Sequence, residues 1–353
     1  MPGQGPDKLF SGFSPVSKEA WENILIKELN RDGCEKTLIW ESPDGIKVMP
    51  FYHQEDINVL EKKTGGAELP VISGNKKKDN SWSIKYDIAV TDFGEANREA
   101  SEVINKGINA IGFILNEKID KKNIDILLQN IDLNDIYVNF YLTGNSAGHL
   151  IELIKLTENL QHCRPITING TAFKERGLSI PEELAGSLEL TCEMLDLITK
   201  NGMNPEKVAN KIALYLSVGS NYFFEIAKIR AARILWSNLL RAYNCKDTSV
   251  FICSETLLSN KSETDPYTNM LRTATEAMSA VLGGTDALLV RIMETENCKN
   301  PDFLKRIAIN QQHILKYEAG FDKVIDPSAG SYYIEQITYE IAEKSWKKFQ
   351  EKF

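Results

Sequence analysis

Four histidines and six cysteines are the side chains most suited to chemistry here, and their spacing limits what they can do. The cysteines fall at Cys34, Cys163, Cys192, Cys245, Cys253 and Cys298, without Cys-x-x-Cys spacing, and no histidine lies near a cysteine pair. A structural zinc site needs four nitrogen or sulfur ligands at short spacings, so none is expected. His149 and His162 flank a helical stretch, His149–Leu160, with no carboxylate or serine at telling spacing. His313, in Gln311-Gln-His-Ile-Leu315, reads as a packing or surface residue of a helix. No Gly-x-Ser-x-Gly elbow, P-loop or dinucleotide fingerprint occurs. The run Lys76, Lys77 and Lys78, beside an Asp and an Asn, reads as a solvated loop, with a contact to an anionic phosphate as the other reading.

Composition sets the outer bounds. With 353 residues, 42% hydrophobic and 25% charged, the chain can bury a large core. A net charge of -8 supplies no electrostatic footprint for nucleic acid or an anionic membrane. The stretch from Met1 to Phe13 has no basic and apolar signal pattern, and no apolar run approaches a membrane span. A cytoplasmic protein with reduced thiols is expected.

The elements that would position any site follow from periodicity. Ser17–Arg31 reads as a helix with Trp21, Ile24, Leu25 and Leu29 at helical spacing. Two short strands between Leu38 and Met49 flank the turn Ser42-Pro43-Asp44-Gly45. Strands are then expected at Trp82–Ile88, Ala110–Leu115, Tyr137–Leu142, Ile166–Asn169, Ile212–Val218, Val250–Ser254, Ala287–Arg291 and Lys323–Ile325. Helices are expected between them at Phe93–Lys106, Ile180–Asn201, Tyr222–Ala242, Met270–Leu282 and Pro301–Ala319. Eight strands, most followed by a helix, predict an α/β fold, a (β/α)8 TIM barrel with an N-terminal extended arm. The arm and linker would occupy residues 1–70 and the barrel 71–353.

Helix Tyr222–Ala242 carries Phe224, Ala227, Ala231, Leu235 and Leu239 as its packing stripe. Glu225 and Lys228, three apart, are expected on its polar face, with Arg230 and Arg233 solvated or salt-bridged. Gly283-Gly284 should end the helix before them. The loop Asp326-Pro327-Ser328-Ala329-Gly330-Ser331 fits a ligand-binding strand end and a plain tight turn equally well.

Three blocks, Asn221–Ala242, Asp265–Val290 and Val324–Thr338, resemble in order and spacing the barrel of the methylmalonyl-CoA mutase family, as does Asp44–Asp56 ahead of it. That family interconverts methylmalonyl-CoA and succinyl-CoA by an adenosylcobalamin-dependent radical rearrangement. The resemblance fails at the reactive positions. Cys253, twelve residues before Asp265-Pro266-Tyr267, stands where the family has its catalytic histidine. The segment Val71–Lys78 has no Arg-Gly-Pro-Tyr with its radical-directing tyrosine. Leu289 and Val290 replace a histidine and a threonine, which implies a packed interior rather than a wet channel. The family's carboxylate-gripping segment has no counterpart after Thr143-Gly-Asn-Ser-Ala-Gly148.

None of His53, His149, His162 or His313 follows an aspartate by two residues, as the family's cobalt-ligating Asp-x-His motif requires. The chain ends at Phe353, where family members continue into a further domain, so no cobalamin-binding domain is expected in it. The resemblance implies a non-catalytic small subunit paired with a catalytic large subunit. No cofactor is expected on this chain, and adenosylcobalamin would sit in the partner. Two other readings stay open: an acyl-CoA-binding barrel without catalysis, and an active acyl-CoA mutase of altered specificity using Cys253.

Overall fold

The computed structural model describes residues 12–14, 16–29, 33, 37–57, 76, 78–116, 119–142, 147–246, 249–291 and 300–352. Cys34, Cys298, Lys77, Val71–Asn75 and the start of the Thr143–Gly148 loop lie outside them. A helix, α1 (Lys18–Leu29), and a hairpin, β1 (Trp40–Glu41) and β2 (Lys47–Val48), form the arm. Gly45, at φ 70°, takes the left-handed position that closes the hairpin turn. Asp44 beside it accepts a hydrogen bond of 2.8 Å from the backbone of Ile180. The arm therefore caps a barrel helix.

The barrel strands are β3 (Ser83–Val90), β4 (Ala110–Leu115), β5 (Tyr137–Leu142), β6 (Cys163–Arg164), β7 (Ile166–Asn169), β8 (Ile212–Val218), β9 (Phe251–Thr256) and β10 (Ala287–Leu289). All are parallel, in the order β6-β5-β4-β3-β10-β9-β8-β7. Helices α2 (Phe93–Ile104), α3 (Lys121–Leu127), α4 (Ala147–Leu156), α5 (Thr171–Glu175), α6 (Ile180–Lys200) and α7 (Pro205–Ala209) are followed by α8 (Tyr222–Ala242), α9 (Pro266–Leu282), α10 (Pro301–His313) and α11 (Tyr332–Gln350). The fold is a nearly closed (β/α)8 TIM barrel.

The eight strand segments are not the eight expected from the sequence. Pro165 lacks an N–H and splits one strand into β6, which pairs with β5, and β7, which pairs with β8. Lys323–Ile325 is not a strand but a bend. Lys323 donates its N–H back to Gly320, Val324 is exposed, and β10 pairs directly with β3, leaving no place in the ring. That pairing covers only Ala287 with Ser83 and Leu288 with Ile84. Beyond Ile84, β3 is paired only with β4, so the barrel is open along a seam toward its mouth.

Helix α8 is as long as the sequence requires, but its expected polar face is wrong. Sixteen of its residues, among them Glu225 and Lys228, are buried, because α6, α9 and α11 pack on the sides that β8 leaves uncovered. Lys228 Nζ lies 2.9 Å from Glu183 and 2.6 Å from Glu225, and donates to the Ser217 carbonyl at 2.6 Å. Burial raises the Glu225 pKa, partly opposed by Lys228. Burial alone would lower Lys228, but Glu183 and then Glu225 outweigh it and raise it. Arg230 pairs with Asp326 and Glu335, and Arg233 with Asp286 at 2.9 Å. Both arginines are buried and salt-bridged. Lys76 likewise departs from the solvated-loop reading: it turns inward to the carbonyls of Asn80 and Ser81, and burial lowers it to about 8.

Two outcomes test this packing. Lys228→Met leaves Glu183 and Glu225 buried without their cation and should cost about 3–5 kcal/mol in urea unfolding. Glu182, which accepts from the side chain and backbone of Ser179 at the start of α6, has its pKa lowered to about 2 by those bonds. Its folded value lies below the unfolded one of about 4.3, so its stabilisation is present above that pH and lost as pH falls toward 2. Glu182→Gln should remove that part of the acid dependence from a pH series of unfolding midpoints.

Candidate functional site at the barrel mouth

Strand alternation decides which side chains meet inside the ring. On β3, Ile84 and Ile88 face the outer helices, while Lys85 and Asp87 turn inward. Tyr137 and Tyr141 from β5, Tyr215 from β8 and Phe251 and Cys253 from β9 join them in a separate inner cluster. Below, Arg164 lies 4.1 Å from the Phe251 ring centre and closes the barrel's lower end. Above, a cavity of about 790 Å³ opens toward the mouth and the seam.

The floor of the cavity is polar. The Lys85 ammonium contacts the Asp87 carboxylate and sits 5.0 Å from the Tyr215 ring centre and 5.4 Å from that of Tyr141. Such placement over aromatic faces stabilises a cation. Burial nevertheless outweighs Cys253 and Glu255 and pulls Lys85 down to about 8. Tyr215 donates to Asn139 at 3.1 Å. Burial raises both Tyr141 and Tyr215 well above their usual range, so their hydroxyls keep their protons. At the rim, Arg291 pairs with Glu255, and Lys305 lies 3.2 Å from Glu99 and over the Tyr86 ring at 4.5 Å.

Cys253 lies on the inner face of β9, is 1% exposed, and has its thiol pushed up to about 11, chiefly by burial. It is a neutral thiol beside Lys85 and Tyr215. Leu289 and Val290 line the cavity wall rather than filling it, so the packed interior expected from them holds only lower in the barrel. The Asp326–Ser331 loop is absent from the lining and is tied by Asp326 to Arg230. Lys85 and Asp87 were not singled out in the sequence. Their signal was present: two opposite charges two residues apart share one face of a strand whose other face is Ile84 and Ile88.

Similarity to known proteins agrees with this architecture. The methylmalonyl-CoA mutase family model matches residues 122–352. This chain belongs to the methylmalonyl-CoA mutase family. The small subunit of methylmalonyl-CoA mutase from Porphyromonas gingivalis is 34% identical to it over 394 aligned positions, covering 97% of this chain and 64% of that protein. The methylmalonyl-CoA mutase of Rhizobium meliloti is 40% identical over 66% of this chain and 34% of its own length. The large subunit from Streptomyces virginiae is 32% identical over 98% of this chain and 57% of its own. The chain thus spans under two thirds of the length of these mutase relatives.

The mutase family is adenosylcobalamin-dependent, and a cobalt ligand of the family type needs an imidazole. None of the four histidines lines the mouth cavity. His162 lies tilted against Tyr137, His313 stacks on Tyr317, and His53 neighbours Phe51 and Glu55. The lining of the mouth cavity therefore offers no imidazole to the cobalt. No described helix is long and apolar enough to cross a membrane.

The Lys85–Asp87 pair lies over Gly112, where an added Cβ would overlap the Asp87 carboxylate and come within 2.5 Å of Lys85 Nζ. Gly112→Ala should displace the pair and cost about 1–3 kcal/mol of stability in chemical denaturation.

Proposed function

We propose that this chain is the small subunit of a heterodimeric, adenosylcobalamin-dependent methylmalonyl-CoA mutase, itself without catalytic residues, supporting a large catalytic subunit. The observation that carries this reading is the state of Cys253. Polarising a thioester carbonyl takes a good hydrogen-bond donor aimed at the oxygen. A thiol is a weak donor, and this one is buried under the tyrosines. The absence of any histidine from the cavity lining supports the same reading, in which the cofactor sits on the partner. Named small and large subunits occur together in Porphyromonas gingivalis and in Streptomyces virginiae, which supports a two-chain enzyme. In this reading residues 1–70 form an arm with linker, residues 71–353 form the supporting barrel, and the complex works in the cytoplasm.

Association would stabilise both chains by mass action. The mouth cavity favours a second reading, a barrel that keeps an acyl-CoA site without catalysis. Calorimetric titration of the isolated chain with a CoA thioester separates the two.

Mixing this chain with the large subunit of the same source should give a one-to-one complex on size exclusion. Turnover should survive Cys253→Ala and vanish only on changes in the large chain. Cys253→His, supplied with adenosylcobalamin and a cobalamin-binding chain, should produce no succinyl-CoA, because a single imidazole does not restore the other missing groups. A folded chain that stays apart from the large subunit, or succinyl-CoA from that variant alone, would sink the reading.

A further inference from the structure

Lys85 differs from the other buried lysines in how its ammonium is satisfied. Lys228 meets Glu183, Glu225 and the Ser217 carbonyl, and Lys261 meets both oxygens of Glu276 and the Asn260 side chain. Lys85 is equally buried, its side chain 1% exposed, but its ammonium makes no hydrogen bond beyond its contact with Asp87. An ammonium carries three donors. The remaining capacity lies at the floor of the 790 Å³ cavity, below walls supplied by Ile114, Leu258, Leu289 and Val290.

We propose that Lys85 is an amine nucleophile that condenses reversibly with a small carbonyl compound, an aldehyde or 2-oxo acid with a short apolar tail, admitted through the mouth. This activity is separate from the mutase reaction and does not rest on the small-subunit reading. A lysine in a desolvated pocket is the usual means of forming such an imine. Asp87, in contact with the ammonium, takes one proton and frees the amine. The nitrogen lone pair attacks the carbonyl carbon, forming the C–N bond, and the carbonyl oxygen receives the proton as a carbinolamine hydroxyl. Cleavage of the C–O bond then releases water and leaves the imine. No electron donor or acceptor is needed. The rings of Tyr141 and Tyr215 flank the reacting nitrogen, and the apolar walls suit an alkyl tail.

The test uses the full chain, 2-oxobutyrate or butanal as probe, and cyanoborohydride to reduce any imine to a stable amine. Peptide mapping by mass spectrometry then locates the adducts. Lys85 should carry the main adduct, above exposed lysines such as Lys121 and Lys347, since its amine, unlike theirs, faces a cavity that can hold the probe. Lys85→Arg, folded by circular dichroism, should lose that adduct and keep the surface background. If the variant does not fold, the map of the unaltered chain decides alone. Adducts spread evenly over surface lysines, or an unmodified Lys85 peptide with both probes, overturn the proposal.

Discussion

Helix α8 carries three cations into the interior, and each is neutralised by a different part of the chain. Lys228 joins α6 and β8, Arg230 holds the Asp326 loop and the start of α11, and Arg233 ties the segments entering β9 and β10. Buried charges are costly unless paired and hydrogen-bonded, so these pairs act less as sources of stability than as constraints on register. Shifting α8 by one residue would strand all three. The split barrel tolerates a short β10 and a strand broken at Pro165 because α8 fixes the neighbouring segments from outside the ring.

The mouth reflects that rigidity differently. Where the ring is complete, tyrosines, Phe251 and Arg164 fill its lower interior. Where β10 stops after Leu289, β3 beyond Ile84 keeps only β4 as a neighbour, and a cavity remains on the other side. A family scaffold is kept, and within it a neutral thiol at Cys253 and an ion pair of Lys85 with Asp87 occupy the axis. The pair fits because Gly112 opposite presents no side chain.

Much of the fold was legible locally. Strands β4, β5, β7 and β8 and helix α8 have the boundaries that their periodicity predicted, and Gly284, at φ 86°, marks the end of α9. The failures share one cause. Lys323–Ile325 has strand composition, but β10 already joins β3 at the place in the ring it would take, and Glu225 and Lys228 have surface composition but partners waiting in the core. Neither an available ladder nor a distant counter-charge is written in the residues themselves. At the site, Cys253 was singled out by its distance to Asp265-Pro266-Tyr267; its burial and its neighbours were not legible.

The sequence by itself determined the class of fold and the family, because periodicity and motif spacing are properties of neighbouring residues along the chain. Only the tertiary structure decided that β3 and β10 meet directly, that α8's charges are internal, and that Lys85 faces a cavity with one counter-ion. Those outcomes depend on which surfaces remain unpaired once the ring has closed, and ring closure brings together residues some two hundred positions apart, such as Ser83 and Ala287.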